Sequence, residues 1–422
     1  MNNPREERGL VIAALCKLNK TPECWLVPSQ SATDRTYRVN VEKQTCTCPD
    51  HQEAGFKCKH LYAVEFTVKR EVHDDGSVTD TRSVTFTEKV TYKQDWPAYN
   101  HAQATEKRRL QILLNDLTRN LADPPRDPSR RGPKPHRTCD AIFSMAFKVY
   151  CGMSSRRSMT DIDDAHEQGH LTRPISVARL WGFFENPGYT PILKNLIALS
   201  AAPLRAVETQ FAIDSSGFGS SRYERWYDKK YGITKLRCKW VKTHIACGVK
   251  TNVVTAVRIL DEFAADSPQF IPLVKETRRT FEVSEVSADK AYGSLANFEE
   301  VADCGGQGFI AFKSDATGGA GGEYERAFHF FQFNRDEYMK QYHLRSNVES
   351  TFSAIKRKFG DSVMSKTDTA MTNEVLCKIL CHNLTCLIQE QETLGIAPIF
   401  WKDDTAGIED YRALLPMTGL RG

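Results

Sequence analysis

The order of hydrophobic and polar positions predicts a mixture of helices and short strands in the first part of the chain. Residues 4–70 predict a helix, two short strands near 24–28 and 36–41, a cluster of Cys and His, and a second helix. Residues 83–92 alternate as in a strand, and 98–121 predict a charged helix that ends at a run of prolines.

The pattern then changes twice. Residues 138–202 predict two or three helices interrupted by glycine and proline. From 205 to 400, strand and helix patterns alternate, which predicts an α/β fold. A further helix pattern near its end contains Cys377, Cys381, His382 and Cys386 beside leucines. Its cysteines are predicted to be small core residues, with a second metal site as the alternative.

The segment 122–137 is rich in proline and in basic residues. Proline at this density lacks the N–H donors that helices and sheets need, so we predict an extended linker and a domain boundary. Its Arg130, Arg131 and Lys134 belong either to a solvated spacer or to a basic arm that contacts DNA phosphates. The sequence leaves both interpretations open.

The amino-acid composition indicates a globular protein and argues against a membrane or secreted one. Hydrophobic residues make up 41% of the 422 positions and charged residues 26%, as in ordinary globular proteins. No apolar run approaches the ~18 residues of a membrane span, and the first residues do not form a secretory signal. Thirteen cysteines, an odd number, indicate reduced thiols or a metal site rather than disulfides. A net charge of +4 is too small to indicate nucleic-acid binding without further evidence.

Four metal-ligating residues lie within a short segment, with the spacing C-x-C-x9-C-x-H. They are Cys46, Cys48, Cys58 and His60. Two ligand pairs separated by a loop suit a tetrahedral zinc ion, and no open position is evident, so a structural site is predicted rather than a catalytic one. The alternative is a set of unrelated free thiols. The spacing, with two strands before it and a helix after it, resembles the SWIM-type zinc finger, which implies binding of DNA or protein.

Three carboxylates stand at comparable places in the α/β region. Asp214 follows an apolar strand pattern at 210–213, Asp289 follows another at 281–288, and Glu349 lies in an amphipathic helix predicted at 342–358. Acids at strand ends, beside a helix that crosses the same edge, can bind hard cations, and two Mg²⁺ ions promote displacement at phosphorus. Taken singly, an Asp after a strand is more often a turn residue.

The helix around Glu349 carries two cations on the same face. At 100° per residue, Arg345, Glu349 and Lys356 fall within about 40° of one another. Cations on either side of a metal-bound carboxylate would hold phosphates, whereas an exposed Arg–Glu pair four residues apart is the simpler alternative.

The four residues Tyr342, Arg345, Glu349 and Lys356 form the pattern Y-(2)-R-(3)-E-(6)-K. This resembles the glutamate signature of DDE transposases from bacterial insertion sequences, and FAIDSSGF and SADKAYGS resemble the two aspartate motifs of that family. The resemblance implies an RNase H-like catalytic domain with a mixed central sheet flanked by helices. It implies catalytic Asp214, Asp289 and Glu349 as ligands of two Mg²⁺ or Mn²⁺ ions, and DNA contacts from the Tyr, Arg and Lys.

The resemblance implies that the protein binds double-stranded DNA at element ends and at the target. It implies no membrane partner, and we expect a homodimer when the protein is bound to DNA ends. We expect it in the cytoplasm of a bacterium or archaeon, associated with the nucleoid. The predicted domains are a zinc module (1–75), a strand and helix connector (76–121), the basic linker (122–137), a helical region that either reads DNA or is structural (138–204), the catalytic domain (205–400) and a tail (401–422).

Two other functions remain open from the sequence. One is a zinc-finger DNA-binding protein whose catalytic domain has decayed or been repurposed. The other is an RNase H-like nuclease that hydrolyses DNA without joining ends.

Overall fold

The computed structural model describes residues 4–16, 18–29, 36–72, 95–123, 134–220, 239–260, 263–313 and 316–401. It divides the chain into two compact units, Met1–Tyr92 and Lys93–Gly422. The strand predicted at 83–92, the arginines Arg130 and Arg131, and most of the predicted tail lie outside the described residues. None of the helices in the described part of the chain has both the length and the apolar character of a membrane span.

The first unit is a small antiparallel sheet covered by helices. Its four strands lie in sequence order and pair antiparallel. The elements are α1 (Pro4–Leu15), β1 (Asn19–Lys20), β2 (Trp25–Pro28), β3 (Thr36–Asn40), β4 (Thr45–Cys46), α2 (Pro49–Ala54) and α3 (Lys59–Val72). The two predicted strands are present as β2 and β3. The two-residue strands β1 and β4 are too short for alternation to reveal them.

Close helix packing holds this unit together. Gly9 of α1 lies against α3, and a Cβ atom at Gly9 would fall 2.4 Å from the Cβ of Tyr62. Ile12 of α1 is fully buried, as are Val27 and Val39 on the sheet. The lack of a side chain at Gly9 therefore lets α1 approach α3 closely enough to cover this small core.

The described part of the second unit contains eleven α-helices and a second sheet. The helices are α4 (Trp96–Thr118), α5 (Thr138–Cys151), α6 (Met159–Glu167), α7 (Val177–Phe184), α8 (Tyr189–Ala201), α9 (Ser267–Arg278), α10 (Leu295–Asp303), α11 (Gly322–Phe333), α12 (Arg335–Tyr342), α13 (Ser346–Phe359) and the long α14 (Asp368–Leu394). The strands are β5 (Gln210–Gly219), β6 (Trp240–Gly248), β7 (Val254–Leu260), β8 (Glu285–Ala288) and β9 (Gln307–Ile310).

The five strands of the second unit form one mixed sheet in the order β7-β6-β5-β8-β9. The strands β7, β6 and β5 pair antiparallel, whereas β5, β8 and β9 pair parallel. Helices α9 and α13 pack against the sheet. This mixed sheet flanked by helices confirms the predicted α/β class and the RNase H-like arrangement.

The sequence predicts that the first strand of this sheet ends at Asp214, and this is wrong. In the structure β5 continues to Gly219, because β6 pairs with it from Phe211↔Gly248 to Gly219↔Trp240. A Cβ atom at Gly217 would lie 2.4 Å from the ring of Trp240, so glycine is needed for the two strands to pair here.

Helices predicted to be separate from the catalytic domain share its core. Buried Leu114 of α4, Phe147 of α5 and Leu196 of α8 belong to the same hydrophobic cluster as Ile213 of the sheet and Leu380 of α14. Helix α14 is buried around most of its surface, as expected of a helix surrounded by others. The observed boundary at residues 92/93 therefore lies well before the predicted linker.

The two ends of the predicted linker meet. The Asp123 carboxylate accepts a hydrogen bond from the backbone N–H of Thr138 (2.7 Å) and pairs with Arg137 (3.2 Å). The Thr138 hydroxyl donates to the carbonyl of Ala122 (3.0 Å). The chain thus leaves α4 and returns beside it, which differs from the extended connection between domains that the prolines predict.

Candidate functional site

The predicted zinc ligands come together in the first unit. Cys46, Cys48, Cys58 and His60 are all buried, and one donor atom from each lies within 4.8 Å of the others. Strand β4 ends at Cys46, and α3 begins directly after Cys58. Zinc bonds of about 2.0–2.3 Å in a tetrahedron need donors this close, so the four residues fit a closed structural site.

The imidazole orientation identifies the ligand nitrogen. The Nδ1 atom of His60 lies 3.9 Å from the Cys46 sulfur and 4.0 Å from the Cys58 sulfur. Hydrogen bonding from the Cys46 thiol, with a further contribution from His60, lowers the pKa of Cys58. A thiolate beside an imidazole is the donor chemistry that zinc prefers. His51 lies outside the cluster, with its Nδ1 2.9 Å from the carbonyl oxygen of Phe56.

In the second unit, strand register brings two of the predicted acids together. Strands β5 and β8 pair parallel, and the last pair in register is Ile213↔Ala288. Asp214 is the next residue of β5 and Asp289 is the residue directly after β8, so the two stand side by side at one end of the parallel pairing. The Asp289 carboxylate also accepts a hydrogen bond from the backbone N–H of Ala291 (2.6 Å), which fixes its direction.

Arg345 joins the third acid to the first. One guanidinium nitrogen lies 3.2 Å from a carboxylate oxygen of Asp214 and 2.7 Å from one of Glu349. The sequence predicts one helix over 342–358. The structure instead ends α12 at Tyr342 and inserts a 3₁₀ turn, His343–Arg345, before α13 begins. The Arg345–Glu349 pair survives this break because the backbone of Arg345 is itself helical.

All three acids influence the pKa of Asp214. Burial raises the pKa of Asp214, and the negative charges of Asp289 and Glu349 raise it further. The backbone N–H of Ser215 and the charge of Arg345 act in the opposite direction. Among the described residues, only the zinc ligands form a group of donors within 4.8 Å, so the carboxylates are near one another but not as tightly gathered.

The acids open onto a cleft of about 710 Å³ that is lined by Asp214, Glu349 and Lys356 among others. The Lys356 ammonium donates to the hydroxyl of Ser216 on β5 (2.7 Å) and lies 5.4 Å from the ring centre of Phe218. Burial lowers the pKa of Lys356. Two acids and a cation thus face the same open volume.

Tyr342 stands beside this group. It is the last residue of α12, and its ring centre lies 6.0 Å from the Arg345 guanidinium. Lys134, by contrast, is exposed at the returning end of the predicted linker, where its carbonyl accepts a hydrogen bond from Arg173 (3.0 Å). The structure therefore brings together the signature residues and the acids, and gives Lys134 no contact with them among the described residues.

A fourth carboxylate, not found by sequence reasoning, lies behind Asp214. Asp266 pairs with Lys242 (2.7 Å) and accepts a hydrogen bond from the hydroxyl of Ser215 (3.2 Å). Buried His244 lies 3.7 Å from it, and burial lowers the pKa of this histidine to about 4. These residues come from β5, from β6 and from the start of α9, so only tertiary packing brings them together and no local motif could have revealed them.

Comparison with protein families agrees with both sites. The model of the transposase DDE domain matches residues 205–384, and that of the SWIM zinc finger matches 37–69. A search of curated proteins finds no match to the chain. The mixed sheet of the second unit therefore lies within a match to a DDE domain, which has an RNase H-like fold. The chain contains a DDE transposase domain and a SWIM zinc finger, which supports a DNA-binding transposase at the level of the family.

Proposed function

We propose that this protein cuts DNA at the ends of a mobile element and joins the freed ends to target DNA. The observation that supports this most strongly is that Arg345 pairs with both Asp214 and Glu349, while the pairing of β5 with β8 brings Asp289 next to Asp214. This proximity of three acids from separate parts of the chain supports a metal-dependent phosphoryl-transfer site.

The residues fit divalent metal binding by their chemistry. Asp214, Asp289 and Glu349 offer carboxylate oxygens, the ligands that Mg²⁺ and Mn²⁺ prefer. Such ions lower the pKa of an attacking water or hydroxyl and neutralise charge on the leaving oxygen. Burial raises the pKa of Asp214, and a nearby positive charge acts in the opposite direction. In the structure Arg345 supplies one such charge.

The chain's cations then position DNA. The Arg345 guanidinium can bind a phosphate with two parallel hydrogen bonds, and Lys356 presents a partly desolvated ammonium to the same cleft. Tyr342, beside Arg345, packs against the DNA backbone in this proposal. Arg130, Arg131 and Lys134 remain proposed phosphate contacts that would strengthen binding without sequence preference.

Each chain has one set of catalytic acids, and an element has two ends. We therefore include in the proposal that two chains act as a homodimer on paired DNA ends. The SWIM module and the helices between residues 138 and 204 are the proposed readers of the end sequence. The second candidate function is hydrolysis without joining, which the same carboxylates would support.

The test uses the purified full-length chain and duplexes made from the DNA that flanks its coding region. With Mg²⁺ or Mn²⁺ and a plasmid target, we expect cleavage at the element ends and joined products. Asp214→Asn, Asp289→Asn and Glu349→Gln should each reduce both steps by about a thousandfold or more, because each removes a metal charge. Binding of the duplex should remain.

The matched control is Asp303→Asn, an exposed acid at the end of α10 that should leave both steps unchanged. Cleavage without joining would favour the nuclease. Binding without cleavage in the wild-type protein would favour a decayed catalytic domain. An Asp289→Asn protein that still cuts DNA would remove this acid from the site.

A further inference from the structure

A second cavity adjoins the catalytic cleft within the same unit. Its volume is about 480 Å³, and it lies between the end of α5, the last turn of α13 and the following segment 360–366. Arg357 lines both this cavity and the cleft that contains Asp214 and Glu349. A ligand long enough to extend past Arg357 would therefore contact both.

Lys148, a buried residue, lines this cavity and has no anionic partner in the part of the chain that the structure describes. Lys148 of α5 is 5% exposed. Among the described residues, its only hydrogen-bonding contact is the sulfur of Met364 at 3.8 Å, and its ammonium lies 5.7 Å from the ring centre of Phe184. A thioether is a weak acceptor, and a buried charge without a counter-charge is costly. The arrangement lacks an anion.

Three other charged residues of the lining, Lys378, Glu374 and Lys358, have partners already. The Lys378 ammonium donates to the carbonyls of Phe359, Gly360 and Ser362 at 2.7–2.9 Å. It thereby satisfies the C-terminal end of α13.

Glu374, the one carboxylate that lines the cavity, accepts hydrogen bonds from the backbone N–H groups of Met364 and Ser365. The Lys358 ammonium, which lines the cavity, lies 2.6 Å from a carboxylate oxygen of Glu106, which does not. Positive charge therefore remains on Lys148, Arg357 and exposed Lys366.

We propose that this cavity, the Lys148 pocket, binds a backbone phosphate of the DNA that occupies the catalytic cleft. A phosphodiester supplies the oxygen acceptors and the negative charge that Lys148 lacks. The shared Arg357, with Lys356 before it and Lys358 after it, gives a continuous run of cations from the acids to this pocket. The inference rests on the proposed function, because it takes DNA as the ligand of the cleft.

The test measures DNA binding by the full-length chain without added divalent metal, so that it does not depend on catalysis. Fluorescence anisotropy of a labelled duplex is recorded between about 50 and 200 mM salt. For Lys148→Met we expect affinity to fall by roughly tenfold, as for loss of one charge-assisted hydrogen bond, and the log–log salt slope to fall by about 0.9. Lys366→Met, at an exposed position that cannot disturb the core, should lower affinity and slope in the same direction by less.

The matched control is Lys275→Met, which removes one positive charge from α9, outside the pocket lining, where Lys275 pairs with Glu300 (3.3 Å). It should leave affinity and slope near wild type. Thermal melting of each variant, with and without inorganic phosphate, completes the experiment.

Wild-type binding with unchanged affinity and slope in both pocket variants would overturn this inference and leave the proposed function intact. A wild-type chain that binds no DNA would overturn both. If inorganic phosphate raises the melting temperature only when Lys148 is present, while DNA affinity and slope do not change, the pocket holds free phosphate and the backbone assignment is wrong.

Discussion

The two units of this protein are stabilised in different ways. In the first unit, the buried apolar cluster is small, and three of its members are the cysteines Cys46, Cys48 and Cys58. In the second, one continuous core extends from α4 to Trp401. A small domain buries too little apolar surface to be stable by packing alone, whereas a large one does not need help. The comparison teaches that zinc belongs to the fold of the first unit, while metal in the second would belong to function alone.

The largest expected effect is loss of zinc from the first unit. Cys58→Ser leaves three ligands, and structural zinc contributes about 10–16 kcal/mol in small zinc domains. We expect residues 4–72 to unfold and the second unit to keep its melting temperature. Zinc content by atomic absorption and amide hydrogen exchange, resolved for each unit, would check both parts.

Cys24→Ser is the matched control for this experiment. The Cys24 sulfur lies 3.4 Å from the hydroxyl of Thr21 and outside the ligand cluster. It should retain zinc and protection from exchange. Purified wild-type protein without zinc, or a protected first unit in Cys58→Ser, would contradict the view that zinc stabilises this unit.

The two sites also differ in how far sequence predicts them. The zinc ligands lie within 15 residues, so spacing alone indicates their geometry. Asp214, Asp289 and Glu349 are far apart in the chain, and each alone is an ordinary polar residue. Their grouping depended on a family resemblance and then on the Ile213↔Ala288 register.

The remaining features depend on tertiary packing that no local pattern encodes. Asp266 directly precedes α9 and reaches the site only through its contacts with Ser215 of β5 and Lys242 of β6. Lys148 appears in sequence as one lysine in an apolar helix. The prolines of 122–137 argue locally against helix and sheet, but they cannot show that Asp123 and Thr138 form a hydrogen bond with each other.

The second prediction concerns whether α4 belongs to the large unit. Glu106 of α4 is 7% exposed and accepts hydrogen bonds from the Tyr150 hydroxyl (2.7 Å) and the Lys358 ammonium (2.6 Å). It thereby links α4 to α5 and α13. Glu106→Gln keeps the shape but removes the charge, so we expect a loss of about 2 kcal/mol in the unfolding free energy of the second unit. Urea denaturation monitored by that unit's tryptophans measures it.

Glu392→Gln is the control for this pair. Glu392 of α14 also joins α4, through Arg109 and His101, but its side chain is 24% exposed. Water screens this ion pair more than the buried one, so the destabilisation should be smaller than for Glu106. Equal effects, or none from Glu106→Gln, would place α4 outside the cooperative core.

The smallest expected effect near neutral pH is a dependence of the second unit's stability on pH, which grows as the pH falls. Burial lowers the pKa of His382 to about 4, and its Nε2 lies 2.9 Å from the carbonyl oxygen of Asn252. Its stabilisation is complete above the unfolded pKa of about 6.5 and is lost as pH falls toward 4, because only the unfolded chain then binds the proton. One such group contributes a slope of up to about 1.4 kcal/mol per pH unit to the free energy of unfolding, and buried His244 adds a similar contribution.

His382→Gln should keep a donor to Asn252 and reduce this slope by about half. Urea denaturation at several pH values between 4 and 7 measures the slope. His329→Gln on α11, which retains both buried histidines, should keep the wild-type slope. An unchanged slope in His382→Gln would show that the acid sensitivity of this unit arises elsewhere, including from carboxylates that must be protonated.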